Sequence, residues 1–110
     1  MKRIIVNADD FGLTRAISER IIEIYKKGNL SSTSIIANTP STDYAVQLAK
    51  NNLGLGVGLH FNITEGKAIT GESTLTDSKG FFLNKSKINL GVFFNKIKPI
   101  ELKYELEAQY

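Results

Sequence analysis

Between Arg3 and Asn62, three short β-rich apolar runs alternate with two segments of helical period, an order that admits few architectures. The first run, Arg3 to Ala8, meets the turn-prone Asp9-Asp10-Phe11-Gly12 and reads as a buried strand ending in a loop. Thr14 then offers a capping hydroxyl to a helix in which Ile17, Ile21, Ile24 and Tyr25 recur at helical spacing. Lys26 and Lys27 suit the negative end of that helix, and Gly28 stops it. Ser32 to Ala37 forms the second strand. Thr39-Pro40 places a capping hydroxyl before a proline at the first helical position and opens a helix through Ala45, Val46, Leu48 and Ala49, closed by Asn51, Asn52 and Gly54. Leu55 to Asn62 is the third strand. Short connections and right-handed crossovers make this βαβαβ order a parallel sheet, so the fold class is α/β.

Beyond the third strand the pattern changes. Ile63 to Asn84 is turn-rich and non-periodic, with a small hairpin expected near Ser78-Lys79-Gly80 leading into Phe81-Phe82-Leu83. A short helix is expected over Leu90–Ile97, and Pro99 starts another in which Leu102 and Leu106 share a face up to Tyr110. A chain of 110 residues holds at most one core, so residues 1–110 are expected to form a single domain.

Composition removes several function classes. The 42% apolar and 23% charged fractions are those of a globular protein, and no apolar run is long enough to span a bilayer. Met1-Lys2-Arg3 precedes an apolar run that Asn7, Asp9 and Asp10 end too early for a signal peptide, so a cytoplasmic location is expected. The absence of cysteine excludes disulfides, thiolate metal sites and a thiol nucleophile. The net charge of +3 gathers between Lys79 and Lys103, where lysines alternate with apolar residues in a solvated stretch. Nucleic-acid recognition needs a denser basic face, and neither a nucleic acid nor a membrane is an expected partner.

The third strand points to chemistry. Leu55, Val57, Leu59 and Phe61 alternate with Gly54, Gly56, Gly58, His60 and Asn62, so one face is nearly bare until it presents the chain's only histidine. Alternate glycines weaken a strand and suggest a close approach by another group. In parallel α/β proteins functional residues collect at the C-terminal strand ends. Those ends carry Asn7, Asp9 and Asp10, then Asn38, then His60 and Asn62. Taken singly, the acidic pair and the asparagines fit turn chemistry and the histidine a structural role. Taken together, carboxylates and an imidazole at one rim offer oxygen and nitrogen ligands to a divalent cation, with a second carboxylate to accept a proton from water. Asp10-Phe11-Gly12 copies a kinase triplet without the kinase context, and Gly54-Leu55-Gly56-Val57-Gly58 has the wrong spacing for a dinucleotide loop.

Ile5-Val6-Asn7-Ala8-Asp9-Asp10-Phe11-Gly12, Ser32-Thr33-Ser34 with Asn38, and Gly56-Val57-Gly58-Leu59-His60-Phe61-Asn62-Ile63-Thr64-Glu65-Gly66 together resemble the YdjC-like carbohydrate deacetylases, which include chitooligosaccharide deacetylases. Glu105 to Gln109 resembles a helix of that family. The resemblance implies the N-terminal part of a distorted (β/α), TIM-barrel-like fold and hydrolysis of the acetamide of an N-acetylated sugar or oligosaccharide. By residue match it implies Asp9 as catalytic base and Asp10 and His60 as ligands of a divalent metal ion, magnesium foremost with zinc as the alternative. Phe11, Asn38 and Asn62 are then expected to line the sugar pocket. The family's remaining histidine ligand lies in a motif absent from this sequence, so this portion by itself is expected to be inactive. A half barrel with an unpaired edge is also expected to associate with another copy.

Two other readings stand beside this one. A magnesium-binding receiver-like signalling module would share the length and the acidic pair, but it needs a phosphate-accepting aspartate where His60 and Asn62 stand. A non-catalytic sugar-binding remnant would keep the pocket without turnover.

Overall fold

The computed structural model describes residue 2 and residues 4–110. Two compact units follow along the chain, Met1–His60 and Phe61–Tyr110. The first contains β1 (Asn7–Phe11), α1 (Arg15–Lys26), β2 (Ser32–Ile35), α2 (Thr42–Lys50) and β3 (Gly56–Leu59). The strands form one parallel sheet in the order β1-β2-β3, the α/β class and βαβαβ order that the hydrophobic periods require.

β1 begins later than the expected Arg3–Ala8. Arg3 lies outside the described residues, and Ile4 and Ile5 stand 85% and 79% exposed before the ladder starts. At that boundary the Ser31 hydroxyl accepts from the Val6 N–H at 3.0 Å and donates to the Val6 carbonyl at 3.1 Å, beside backbone bonds from the Ser31 and Ser32 N–H groups to the same carbonyl. At its other end β1 runs through the expected turn. The register with β2 slips between Ala8 and Phe11, and Asp10 adopts φ 66°. β2 and β3 are likewise shorter than expected, though the His60 N–H still donates to the Ile35 carbonyl at 2.8 Å.

Thr14 caps α1 as expected, accepting from the Ile17 N–H at 3.2 Å. The buried stripe is Ser18, Ile21 and Ile22, while Ile24 is partly exposed. Ser18 belongs inside because its hydroxyl donates to the Thr14 carbonyl at 2.9 Å and accepts from the Gly12 N–H at 3.0 Å. α2 starts at Thr42, two residues beyond the expected proline start. The Thr39 hydroxyl donates to the Gly12 carbonyl and the Thr42 hydroxyl to the Ile36 carbonyl, so both tie the turn to the strand ends. Phe11, Ile21, Ile22, Leu30, Ala45 and Leu55 form the core of this unit.

The second unit opens with the expected hairpin. Lys67 bridges Phe81 and Thr76 bridges Phe82, both antiparallel, and the Asp77 carboxylate accepts from the N–H groups of Lys79 (2.9 Å) and Phe81 (3.0 Å). α3 spans Lys85–Phe93 rather than Leu90–Ile97, because the Asn84 side chain accepts from the Lys87 N–H at 2.9 Å and so caps the helix early. α4 spans Pro99–Gln109. Its buried positions are Glu105 and Gln109, while Leu106 is 41% exposed and only Leu102 of the expected pair packs inward. Leu75, Phe82 and Ile88 centre a second hydrophobic cluster, so the described residues carry two clusters where one core was expected. No described helix is long and apolar enough to cross a membrane.

The glycines of the bare β3 face differ in their surroundings. A Cβ at Gly54 would meet the Tyr25 hydroxyl at 2.5 Å, whereas one at Gly58 would meet nothing within 4 Å. Gly12 is the demanding position, with φ 92° and the Ile36 carbonyl 3.0 Å from where a Cβ would sit. Gly12→Ala is therefore expected to destabilise the chain by about 2 kcal/mol in urea denaturation, and Gly58→Ala to stay within about 0.5 kcal/mol of the parent. Equal midpoints for the two variants would contradict this account.

Candidate functional site

The slip in β1 decides where the carboxylates point. Asp10 and His60 come from the outer strands of the sheet, yet His60 Nδ1 lies 3.4 Å from Asp10 Oδ1 and accepts from the Asp10 backbone N–H at 3.3 Å. A neutral imidazole accepts that N–H; a protonated one faces the carboxylate instead. The two side chains retain 35% and 50% of their exposure, so the pair is open to solvent. An oxygen and an imidazole nitrogen this close fit a shared divalent cation in donor type. Among the described residues no group of three His, Cys, Asp or Glu side chains is placed to hold a metal ion.

Asp9 belongs to a polar rail across β1 and β2. Asn7 Nδ2 donates to Asp9 Oδ1 at 2.9 Å and to Ser34 Oγ at 3.0 Å, while Ser32 Oγ donates to Asn7 Oδ1 at 2.8 Å. One oxygen of Asp9 is thereby oriented on an exposed strand end. Asn38 lies half-buried in the bend after β2. Phe11 is fully buried in the core of its unit, so its ring has no open surface for a sugar. Asn62 is 6% exposed and performs turn chemistry: its side-chain oxygen accepts from the N–H groups of Thr64 (3.1 Å) and Glu65 (3.0 Å), and its amide donates to the Glu65 carbonyl at 2.8 Å.

With this geometry established, likeness to known proteins becomes informative. The YdjC-like protein family matches residues 3–110. The chain belongs to that family. It is 41% identical over 106 residues to a carbohydrate deacetylase of Clostridium beijerinckii, covering 96% of this chain and 43% of that protein. It is 47% identical over 108 residues to a carbohydrate deacetylase of Listeria welshimeri, covering 97% and 44%. A crystal structure from Enterococcus faecalis, described as a cellobiose-phosphate cleavage protein, superposes with TM-score 0.82 at 32% identity, covering 96% of this chain and 41% of that one. The chain thus spans about two fifths of the length of the relatives it matches.

In this YdjC-like chain the residues that sequence patterning missed are those holding Asn62. Gln109 accepts from the Asn62 N–H at 3.0 Å and donates to its carbonyl at 2.7 Å, gripping the backbone at two points. The same Gln109 amide donates to Glu105 at 2.7 Å, and Glu105 also accepts from the Ile69 N–H (3.0 Å), the Thr70 N–H (2.9 Å) and the Thr70 hydroxyl (2.6 Å). Burial works against the charge on Glu105. The Thr70 hydroxyl, the Gln109 amide and the two backbone N–H groups outweigh it and hold the carboxyl below its ordinary value of 4.5. The sequence signals were the resemblance of Glu105 to Gln109 to a helix of the family and the four-residue spacing of these two polar groups on one helical face.

A carboxyl whose proton affinity falls on folding stabilises the fold above its unfolded pKa, and that contribution is lost as pH drops through the folded value. Glu105→Gln is expected to cost about 2 kcal/mol at pH 7, because the Thr70 donors then face an amide that cannot accept from all of them. The deficit should narrow below the ordinary value of 4.5. Urea titrations across that range test this, and a deficit independent of pH would refute it.

Proposed function

We propose that this chain is the N-terminal portion of a longer, metal-dependent carbohydrate deacetylase that removes acetyl groups from N-acetylated sugars of the chitooligosaccharide type. The observation that carries the reading is the 3.4 Å approach of Asp10 and His60 from opposite edges of one parallel sheet, at its C-terminal rim. The deacetylase relatives support the reaction class.

In this reading Asp10 and His60 are two of the ligands of a divalent ion; magnesium and zinc both accept an oxygen and imidazole set. When bound, such an ion supplies positive charge that polarises a carbonyl and lowers the pKa of water. Asp9, turned by Asn7, accepts the proton of the water that adds to the acetyl carbon. The carbon–nitrogen bond then breaks, the sugar amine takes up a proton, and acetate departs. Asn38, at the end of β2, is the remaining candidate for a polar contact with the sugar. Phe11 instead supports the site from below, because its burial fixes the strand that carries both aspartates. The expected cytoplasmic location and the association of copies through the open sheet edges belong to the same reading.

A full-length version is expected to release acetate from N-acetylated chitooligosaccharides and to stop on chelation. Asp9→Asn should lower the rate by about 100-fold or more at unchanged metal affinity. Asp10→Asn and His60→Ala should raise the divalent ion concentration needed for half-maximal rate. Unchanged turnover in Asp9→Asn and His60→Ala would end the hydrolase reading. Sugar binding without acetate release at any metal concentration would favour the non-catalytic remnant.

A further inference from the structure

The second unit carries a cavity of about 390 Å³ walled by Leu83, Leu90, Phe94 and Ile97, with Lys87 and Lys96 also on its lining. That volume lies within the roughly 300–1,000 Å³ of small-ligand sites, and an apolar wall with a few polar groups is their usual composition. Its walls are fixed by the chain's own bonds. Asn95, at φ 53°, reverses the chain after α3, and the Lys96 N–H donates to the Gly91 carbonyl at 2.7 Å. Ile97 folds back against Gly91, where a Cβ would meet it at 3.0 Å. The returning segment is then pinned by the Lys98 N–H donating to the Thr74 hydroxyl at 3.0 Å, and that hydroxyl donates to Glu101 at 2.5 Å.

The charged side chains on the cavity lining, Lys87 and Lys96, are both basic, and the Glu101 carboxylate behind Thr74 is engaged by the Thr74 hydroxyl and by Lys98. From Ser78 to Ile100 the sequence has five lysines and no acidic residue. Among the described residues neither Lys87 nor Lys96 is ion-paired, and Lys96 Nζ lies only over the Phe94 ring, 5.9 Å from its centroid. Leu90 and Phe94 remain 58% and 57% exposed at the mouth, apolar surface that a ligand would cover.

We infer that this cavity binds a monomeric amphiphilic anion, a short alkyl or aryl group carrying a carboxylate or phosphate, with the tail between Leu90, Phe94 and Ile97 and the head between Lys87 and Lys96. A membrane surface fits less well, because α3 has nine residues and no apolar stripe set against a charged one. The inference is independent of the deacetylase reading, and its test uses no turnover.

Octyl phosphate, octanoate, octyl glucoside and octyltrimethylammonium, each below its micelle concentration, are titrated into the chain by calorimetry and two-dimensional NMR. Both anions are expected to bind at least about tenfold more tightly than the neutral and cationic probes, with amide shifts centred on Leu83, Leu90, Gly91 and Ile97. A preference for octyl phosphate or for octanoate assigns the head group. Lys87→Gln with Lys96→Gln should erase the preference for anions while leaving the circular dichroism spectrum unchanged, and the parent's shift map serves if that variant unfolds. Equal affinity for all four probes, or shifts elsewhere, overturns the inference. So does binding to anionic phospholipid vesicles that octyl phosphate fails to compete away.

Discussion

The left-handed backbone at Asp10 is the constraint around which the first unit is arranged. A regular strand would send successive side chains to opposite faces, and a bulge breaks that alternation at one point. Here the break lies between Ala8 and Phe11. Downstream of it Phe11 drops into the core, its carbonyl accepts from the Ile36 N–H at 2.8 Å, and Gly12 takes the positive φ that starts the turn into α1. Upstream, Asn7 and Asp9 remain on the polar rail. A non-glycine residue at φ 66° costs of order 1 kcal/mol. Complete burial of a phenylalanine ring contributes about 2–3 kcal/mol, enough to hold the strained residue in place. The Asp10–His60 approach is therefore supported by apolar packing directly behind it.

Much of this first unit was legible because its hydrophobic periods are strong. The strand and helix order, the Thr14 cap and the stop at Gly28 each follow from a single local rule. That Asp10 and His60 share one rim followed from parallel topology, since C-terminal strand ends lie together, whereas their 3.4 Å approach across β2 depends on the slip in β1. What local rules could not supply was the competition among hydroxyls. Thr39 carries a capping signal and its hydroxyl does accept from the Ser41 N–H at 3.2 Å while donating to the Gly12 carbonyl, yet the regular turns of α2 begin only at Thr42. Ser18 reads as a polar interruption of a helical face, yet two hydrogen bonds make it a buried part of that face.

The second unit was less legible because it reverses the usual sorting. α4 buries a carboxylate and an amide, while Leu106 on the same helix and Val92, Phe93 and Phe94 near the end of α3 stand exposed. Pro99 and the Leu102–Leu106 spacing report the helix but not its inward side, which beyond Leu102 is polar and satisfied by hydrogen-bond partners in a distant loop. Asn84 illustrates the same difficulty on a smaller scale. A single asparagine moved the start of α3 five residues upstream of where the apolar pattern alone placed it.

Ile4, Ile5 and Val6 turn a mismatch between sequence and structure into information. Their pattern is that of a strand buried on both faces, which is what a parallel sheet requires of its members. The described fold leaves Ile4 and Ile5 largely exposed, and it leaves Val57 on β3 44% exposed as well. β1 and β3 are both edges of a three-stranded sheet, and an uncovered parallel edge offers unpaired backbone groups to any strand that can reach it. The apolar pattern thus calls for a cover that the described residues do not provide. A further stretch of chain like that of the longer relatives, or a second copy, would supply it.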